Sequence, residues 1–318
     1  MLFKKEGKKI ISVRMLVILL MLALALGMLS GCAKKANEGE TPAASGGEAA
    51  GGEAASEGGI PADAGGRLGA IRDAGKLTVA TEPYFAPEEF IDPSKTGQDQ
   101  FVGSDMELAR LIAERMGVEL EIVPLEFGPV IASVVEGKYD LAISALAYTA
   151  ERAEAMELSI GYHFTDESKT YGLLIRKEDA DNIKGPEDLA DKIIVTQSGS
   201  IQESLVNAQI PAYKEFKKVS SMSPDAFLSV QEGKADAAAV SCENAQLYID
   251  SNPDCGLMVV DTFYFTIDEN FGGERVGAPK GETELIEFVN AILKELNESG
   301  QYDAWFEEYA EYAASLGL

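Results

Sequence analysis

The sequence predicts an α/β fold with parallel sheets in two lobes of similar plan, and three observations indicate it. Strand-like and helix-like segments alternate from residue 77 to residue 152, which is the pattern of a parallel sheet covered by helices. The alternation starts again at Tyr171. Finally, GKYDLAIS at 137–144 and GKADAAAV at 233–240 share one layout, in which Gly-Lys and an aspartate precede small apolar residues. This echo favours two similar lobes.

The first 31 residues have the organisation of a signal peptide. Five basic residues precede an apolar run at 15–29, which is short for a membrane span. Leu29-Ser30-Gly31-Cys32 resembles the lipobox of bacterial lipoproteins, which implies cleavage before Cys32 and lipidation of its thiol. We therefore expect a lipid-anchored protein on the extracytoplasmic face of the cell membrane. The alternative is an uncleaved anchor followed by an incidental cysteine.

A flexible tether is predicted after the signal peptide. Residues 33–66 consist mainly of Gly, Ala, Glu and Ser, with almost no large apolar side chain. Such a segment buries too little apolar surface to offset its ordering entropy. We expect residues 32–66 to hold the folded part away from the bilayer.

Charge and histidine content exclude several classes of function. The formal net charge is −26 at pH 7, which argues against a nucleic-acid-binding protein and against direct adhesion to anionic lipid. His163 is the single histidine, and no paired Cys/His spacing occurs, so neither a zinc site nor another cofactor is expected.

The two remaining cysteines, Cys242 and Cys255, lie in an expected oxidising compartment. The intervening residues 243–250 read as a helix of about two turns, which would hold its ends some 12 Å apart. Bridged cysteines need Cα atoms within about 7 Å of each other. We therefore expect free thiols, with a disulfide as the alternative.

The first lobe is predicted from apolar periodicity and from turn residues. In chain order, its elements are a helix at 67–75, a strand at 77–81, a proline-broken loop at 82–87, a hairpin of 90–92 and 100–102, a helix at 106–116 capped by 103–105, a strand at 119–124, a helix at 127–135, a buried strand at 139–147 and a helix capped by Thr149.

The second lobe and the C-terminal part are predicted in the same way. The elements are a strand at 171–176, a helix start at 185–189, a strand at 193–196, a helix opening at 197–202, a helix at 224–232, a strand within 233–240, a segment at 262–268, a strand at 274–278 and helices at 283–298 and 301–312.

The buried strand at 139–147 is the strongest candidate for a binding site. It runs into a helix, and ligands of open α/β sheets bind at the edge where such strands end. Ser144 and Ala145 are small enough for a ligand to reach the backbone there. Arg152 follows in the helix, and its guanidinium can grip a carboxylate with two parallel hydrogen bonds. The alternative is a core strand with a surface arginine.

Four segments follow one another along the chain: FVGSDMELARLIAERMG, GKYDLAISALAYTAERAEAMELSIGY, TQSGSIQE and GKADAAAV. Together they resemble the bacterial extracellular solute-binding proteins of family 3, the polar amino-acid receptors of ABC importers. The resemblance implies a two-lobed type II periplasmic-binding-protein (Venus-flytrap) fold with an interlobe cleft. It implies hinge strands near 165–170 and 262–270. Lobe 1 would comprise 67–166 plus 268–318, and lobe 2 would comprise 167–267.

The resemblance also implies which residues bind the carboxylate end of the ligand. Arg152 matches the arginine that binds the α-carboxylate, and Ser144 and Ala145 match strand-end positions that meet the ligand's amino group and carboxylate. In lobe 2, Ser200 and Ile201 match a helix N-terminus whose N–H groups add to the carboxylate site.

Three further matches imply which residues contact the side chain of the ligand. Phe85 and Phe127 match aromatic or apolar walls on either side of the ligand side chain, although both could belong to the core. Glu82 matches a position where some members hold an acid for a cationic side chain, and its alternative is a solvated surface acid.

Two departures from the family pattern concern the ligand's ammonium. Ser241 stands where the family has an acid for this group, and Ala147 stands where a hydroxyl is usual. A buried ammonium without a carboxylate would be costly. Either Glu243 or Glu82 pairs with the ammonium, or the ligand is not an ordinary α-amino acid. Glu243 also has a simpler explanation as an acid at a helix N-terminus.

The function expected from the resemblance is binding, without catalysis. The protein would be a monomeric, lipid-anchored receptor that delivers an amino acid to its cognate ABC permease. One alternative is a dehydratase-like enzyme in which a cleft carboxylate acts as general acid. Another is a sensor module for a carboxylate ligand that is not an amino acid. A shared fold alone does not decide among them.

Overall fold

The computed structural model describes residues 59–268 and 270–318. The predicted signal peptide, Cys32 and most of the predicted tether lie outside these residues. Among the helices that the structure describes, none combines the length and the apolar character needed to cross a bilayer.

Thirteen strands and nine α-helices form the described part of the chain. The strands are β1 Lys76–Thr81, β2 Tyr84–Phe85, β3 Glu89–Ile91, β4 Phe101–Val102, β5 Glu119–Pro124, β6 Leu141–Ala147, β7 Met156–Leu158, β8 Tyr171–Arg176, β9 Ile193–Gln197, β10 Glu215–Val219, β11 Ala237–Ser241, β12 Leu257–Tyr264 and β13 Glu274–Pro279. The helices are α1 Gly66–Ala74, α2 Ser104–Met116, α3 Phe127–Val135, α4 Ala150–Ala155, α5 Ile201–Gln209, α6 Leu228–Gln231, α7 Cys242–Ser251, α8 Thr283–Ser299 and α9 Gln301–Leu316.

Two five-stranded sheets form the framework, with orders β5-β1-β6-β13-β7 and β10-β9-β11-β8-β12. Three neighbouring strands of each sheet are parallel, as predicted. The remaining strands were not predicted as antiparallel: β13 runs antiparallel to β6 and β7, and β8 runs antiparallel to β11 and β12. Parallel neighbours need a crossover connection, usually a helix, and in the described part of the chain no helix lies directly before β8 or β13.

Each sheet has its own apolar core. The first sheet is covered on one face by α1, α2 and α8, whose buried side chains meet those of Leu141 and Ile143. On its other face, α3 buries Val130 and Val134. The second sheet likewise has separate clusters on its two faces. The mixed α/β architecture therefore consists of two layered units, each with helices packed on its sheet.

The start of α2 differs from the prediction. Gly103 is the N-cap residue, with φ 124°, and no side chain caps this end. A Cβ at this position would lie 2.1 Å from the carbonyl oxygen of Glu88, so only glycine fits. Asp105 therefore lies inside the helix rather than capping it. By contrast, Thr149 caps α4 as predicted, because its side chain accepts a hydrogen bond from the Arg152 N–H.

Other differences concern short elements. The predicted helix start at 185–189 is a single 3-10 turn, and the predicted helix at 224–232 begins as a π-helical turn at Met222–Phe227. Strands β7, β10 and β12 were not predicted from the sequence. β10 and β12 are sheet-edge strands with several polar or exposed residues, so they lack the apolar run of a buried strand. Cys242 and Cys255 are free, as the helix between them predicts.

Candidate functional site

All the residues predicted as ligand contacts line one cavity between the two sheets. They are Glu82, Phe85, Phe127, Ser144, Ala145, Arg152, Ser200, Ile201, Ser241 and Glu243. The cavity has further lining residues that the ligand prediction did not include, among them Glu88, Glu89, His163, Thr165, Thr170, Tyr171, Gln197, Gln202, Phe271 and Glu274.

Arg152 is buried at one end of this cavity, with 6% of its surface exposed. Its Nη1 donates to the carbonyl oxygen of Ala147 (2.7 Å), and its Nη2 donates to that of Gly199 (3.1 Å). The guanidinium lies over the ring of Phe127, 5.4 Å from its centroid. Burial lowers the pKa of Arg152 to about 10, still well above neutrality. Of the five guanidinium N–H groups, those left over are available to a carboxylate. The surface-arginine alternative is therefore wrong.

The end of β6 has an unusual backbone conformation next to Arg152. Ala145 has φ 44°, a region that non-glycine residues seldom adopt. Its N–H donates to Asp105 Oδ2 (2.8 Å), and the same carboxylate accepts hydrogen bonds from the hydroxyls of Tyr302 (2.7 Å) and Tyr162 (3.2 Å). Asp105, predicted only as part of a helix cap, thus holds the strand end in the shape that faces the cavity.

Ser144 links two acids beneath the cavity. Its hydroxyl accepts a hydrogen bond from the Glu82 N–H (3.0 Å) and donates one to Glu89 Oε1 (2.9 Å). Both Glu82 and Glu89 are almost wholly buried. Ser144 therefore fixes the loop that carries these acids against the end of β6.

Three carboxylates that line the cavity each have a buried oxygen with no hydrogen-bond partner among the described residues. These atoms are Glu82 Oε1, Glu89 Oε2 and Glu274 Oε2. Burial raises the pKa of Glu82 to about 8 and raises the pKa values of Glu89 and Glu274 well above their usual range. Buried carboxyl groups without partners are costly in the charged form, and a bound cation would remove that cost. The acidic lining of the cavity therefore favours a ligand with cationic groups.

Glu243 and Glu88 already have protein partners. Glu243 Oε2 lies 3.4 Å from His163 Nε2, and its side chain is 44% exposed. The His163 ring stacks on Phe306 at 4.2 Å. Burial alone would lower the pKa of His163, but Glu243, Glu88 and Asp303 raise it overall. Glu88 Oε2 accepts a hydrogen bond from Asn244 Nδ2 (3.0 Å).

The aromatic residues and the N-terminus of α5 complete the walls. Phe127 is only 8% exposed, packs with the core on α3 and also lines the cavity. Phe85 packs partly against the core of the second sheet. Ser200 caps α5 by accepting a hydrogen bond from the Glu203 N–H, and Ile201 is the first helical residue. The first-turn N–H groups of α5 thus lie at the cavity.

Sequence reasoning missed the acids that follow Pro87 and the acid that begins β13. Two consecutive glutamates after a proline-broken loop at a strand end were a signal for Glu88 and Glu89. Nothing local marked Glu274, because its place at the cavity depends on its pairing with β6. Among the described residues, no group of three or more His, Cys, Asp or Glu side chains is arranged to hold a metal ion.

Comparisons with known proteins agree in the kind of protein that they indicate. The family model for bacterial extracellular solute-binding proteins, family 3, matches residues 77–312. The arginine-binding extracellular protein ArtP of Bacillus subtilis (strain 168) is 27% identical over 236 residues, which cover 73% of this chain and 86% of that protein.

Two solved structures are also similar over most of the chain. The amino acid ABC transporter substrate-binding protein AbpA of Streptococcus pneumoniae Canada MDR_19A, bound to L-arginine, is 32% identical, with a TM-score of 0.67 over 76% of this chain and 97% of that chain. The ancestral amino acid-binding protein AncCDT-1, a precursor of cyclohexadienyl dehydratase, is 27% identical, with a TM-score of 0.64 over 77% of this chain and 99% of that chain.

Proposed function

This chain belongs to the bacterial extracellular solute-binding proteins, family 3, and from that membership we propose that it binds a cationic α-amino acid such as arginine. Its fold is the two-lobed type II periplasmic-binding-protein fold shared by the similar solved structures. The observation that carries the proposal is that one cavity is lined both by the buried Arg152 and by the buried carboxyl of Glu82, whose Oε1 has no hydrogen-bond partner among the described residues. A ligand that is anionic at one end and cationic at the other satisfies both.

In the proposed pose, the α-carboxylate lies on Arg152 and against the end of β6. The N-terminus of α5 adds partial positive charge to this end of the site. The ligand side chain extends between Phe85 and Phe127, and its cationic group meets Glu82. The arginine binding named for ArtP and AbpA supports this ligand class.

We propose that binding couples to closure of two lobes, with lobe 1 at 67–166 plus 268–318 and lobe 2 at 167–267. The chain crosses between the two sheets near residues 165–170 and again near 262–270. A ligand that contacts residues of both sheets would stabilise the closed arrangement. As a monomer, the closed protein would present the amino acid to its ABC permease.

Calorimetric titration of the full chain, purified in detergent, tests the proposed ligand class. Co-purified ligand is removed first by unfolding and refolding. The panel contains the twenty amino acids, ornithine, cystine and several dicarboxylates. We expect arginine or another cationic amino acid to bind with a Kd of about 1 μM or tighter, as −8 kcal/mol of binding free energy corresponds to about that value.

Two other results of this titration would redirect the interpretation. Binding of dicarboxylates alone would contradict the cationic-ligand proposal. Continuous heat release after injection of prephenate or arogenate would indicate turnover, and hence the dehydratase-like alternative. The raised pKa of Glu82 suits a general acid and so favours that alternative.

We also propose that Cys32 is lipidated and anchors the protein to the extracytoplasmic face of the membrane. The basic, apolar and Leu29-Ser30-Gly31-Cys32 segments support this. In a bacterial host that processes lipoproteins, Cys32→Ser is expected to move the protein from the membrane fraction to the soluble extracytoplasmic fraction. Cys255→Ser, at a free cysteine of the folded part, should leave the distribution unchanged. A Cys32→Ser variant that carries a lipid and stays processed at the membrane would contradict the anchor.

A further inference from the structure

The α-ammonium of the proposed ligand needs an anionic partner that the family pattern does not supply in this chain. Ser241, at the end of β11, lines the cavity without a charge. Glu243 is directed to His163, and its side chain is 44% exposed. A buried ammonium left without a carboxylate would cost much of the binding energy. Another acid of the cavity must therefore take this role.

Glu274 lies where that partner is needed. As the first residue of β13, it pairs directly with Ala147, the last residue of β6, in the antiparallel register. Side chains of directly paired residues lie on one face of the sheet, with Cβ atoms about 5 Å apart. The Ala147 side chain is a single methyl group, and its carbonyl oxygen accepts the hydrogen bond from Arg152 Nη1. The Glu274 carboxyl thus enters the cavity beside the arginine end.

Glu274 and Glu82 meet β6 at different positions. The Glu82 N–H donates to Ser144 Oγ, whereas Glu274 pairs with Ala147, three residues further along β6, whose carbonyl oxygen accepts from Arg152. The α-ammonium and α-carboxylate of an amino acid sit on one carbon, so the acid nearer the arginine end suits the ammonium.

The other acids of this end are engaged with protein groups. Glu88 Oε2 accepts from Asn244, and Glu89 Oε1 accepts from Ser144. Glu89 Oε2 is left without a hydrogen-bond partner among the described residues, so Glu89 is held through one oxygen. Within residues 59–268 and 270–318, the Glu274 carboxyl has no hydrogen-bond or ion-pair partner, and its Oε2 is buried.

We infer that Glu274 is the counter-ion of the ligand's α-ammonium and so makes the site specific for ligands with a free α-amino group. This inference rests on the proposed function. Ala145 and Glu274 lie on strands of the first sheet, and Arg152 lies on the helix that directly follows β6, so one lobe then holds both α-substituents. The second lobe contributes the N-terminus of α5 and side-chain contacts. Ser241 has no charge because none is required there.

A matched pair of ligands tests the assignment on the full chain in detergent. The pair is L-arginine and 5-guanidinopentanoic acid, which differs by lacking the α-amino group. We expect the wild-type protein to prefer arginine by at least about thirtyfold, as for other desolvated charge pairs. Glu274→Gln should lose most of this preference by weakening arginine binding, while binding of the deaminated ligand is retained or improved. If the titration panel identifies another amino acid, that amino acid and its own deaminated form are used.

Two further variants sharpen the test. Glu157→Gln changes an acid of the neighbouring strand β7. The Glu157 carboxylate lies near Lys280 and accepts a hydrogen bond from the Gly281 N–H (3.1 Å). This variant should keep the full preference for arginine. Adding Ser241→Asp to Glu274→Gln should restore part of the preference, because it returns an acid to the end of β11. This rescue also shows that the Glu274→Gln protein is folded.

The outcomes separate this inference from the proposed function. Undiminished preference for arginine in folded Glu274→Gln would overturn the role of Glu274 while leaving amino-acid binding in place. Equal binding of both ligands by the wild-type protein would also overturn it. Absence of binding by any amino acid of the panel would overturn both.

Discussion

Replacing Arg152 by alanine is expected to weaken binding of the cationic amino acid by at least about a hundredfold. Truncation of one partner of a buried, hydrogen-bonded charge pair costs about 2–5 kcal/mol, and each 1.4 kcal/mol is a factor of ten in Kd. A loss of about 2.7 kcal/mol or more, which corresponds to a hundredfold, is expected for Arg152 because it is only 6% exposed and lines the cavity. Titration calorimetry of the variant and the wild-type protein measures the change.

Two controls show what the Arg152 side chain contributes. Arg115→Ala removes an arginine that pairs with Glu295 on the surface, with 42% of the arginine side chain exposed, and should leave the Kd unchanged. Arg152→Lys retains the positive charge but loses the planar fork, so we expect an intermediate affinity. Binding by Arg152→Ala within threefold of the wild-type value would refute the proposed carboxylate site.

Lowering the pH from 8 to 6 is expected to weaken arginine binding by roughly tenfold or more. In the ligand-free protein, burial raises the pKa of Glu82 to about 8, so this carboxyl is protonated at pH 6. A bound guanidinium favours the charged carboxylate, and its binding must therefore release the proton. Below the pKa, release of one proton changes the affinity by about tenfold per pH unit. Affinity accordingly rises with pH and levels off above about pH 8.

Other titratable groups face the same cavity, so a matched variant is needed to isolate Glu82. They are Glu88, Glu89, Glu243, Glu274 and His163. Glu82→Gln has no proton to release at this position. It should therefore release about one proton fewer per bound ligand than the wild-type protein, and its affinity should depend less steeply on pH. Calorimetry in two buffers with different ionisation enthalpies counts the released protons directly. Equal slopes for the two proteins would contradict the role of Glu82.

Local sequence patterns predicted much of the part of the cavity that is proposed to bind the ligand's carboxylate. The apolar run of β6 predicted a buried strand, and Thr149 with an acid in the first turn predicted the helix that carries Arg152. The pattern at 197–202 likewise predicted a helix opening, and the family resemblance assigned Ser200 to the N-terminus of that helix, where it caps α5. These signals are available from sequence because strand burial and helix capping depend on residues within one or two turns of each other.

The edges and the antiparallel strands of the sheets could not be predicted as securely. β10 and β12 lie at sheet edges, where exposed positions interrupt the apolar pattern. The antiparallel entry of β13 follows from where the chain returns to the first sheet, which no local period records. Asp105 was misjudged for a related reason, since its partners Tyr162 and Tyr302 are far away in sequence.

The sequence by itself determined the α/β class, the two-lobe repeat, the end of β6 with Ser144 and Arg152, and the absence of an acid at Ser241. Only the tertiary structure decided which acids line the cavity. Glu274 reaches the cavity because β13 pairs with β6 in a register that places it opposite Ala147. Such a register is set by burial across the whole sheet and not by neighbours in the chain. Long-range strand pairing therefore supplies the free carboxyl that the family motif lacks in this chain.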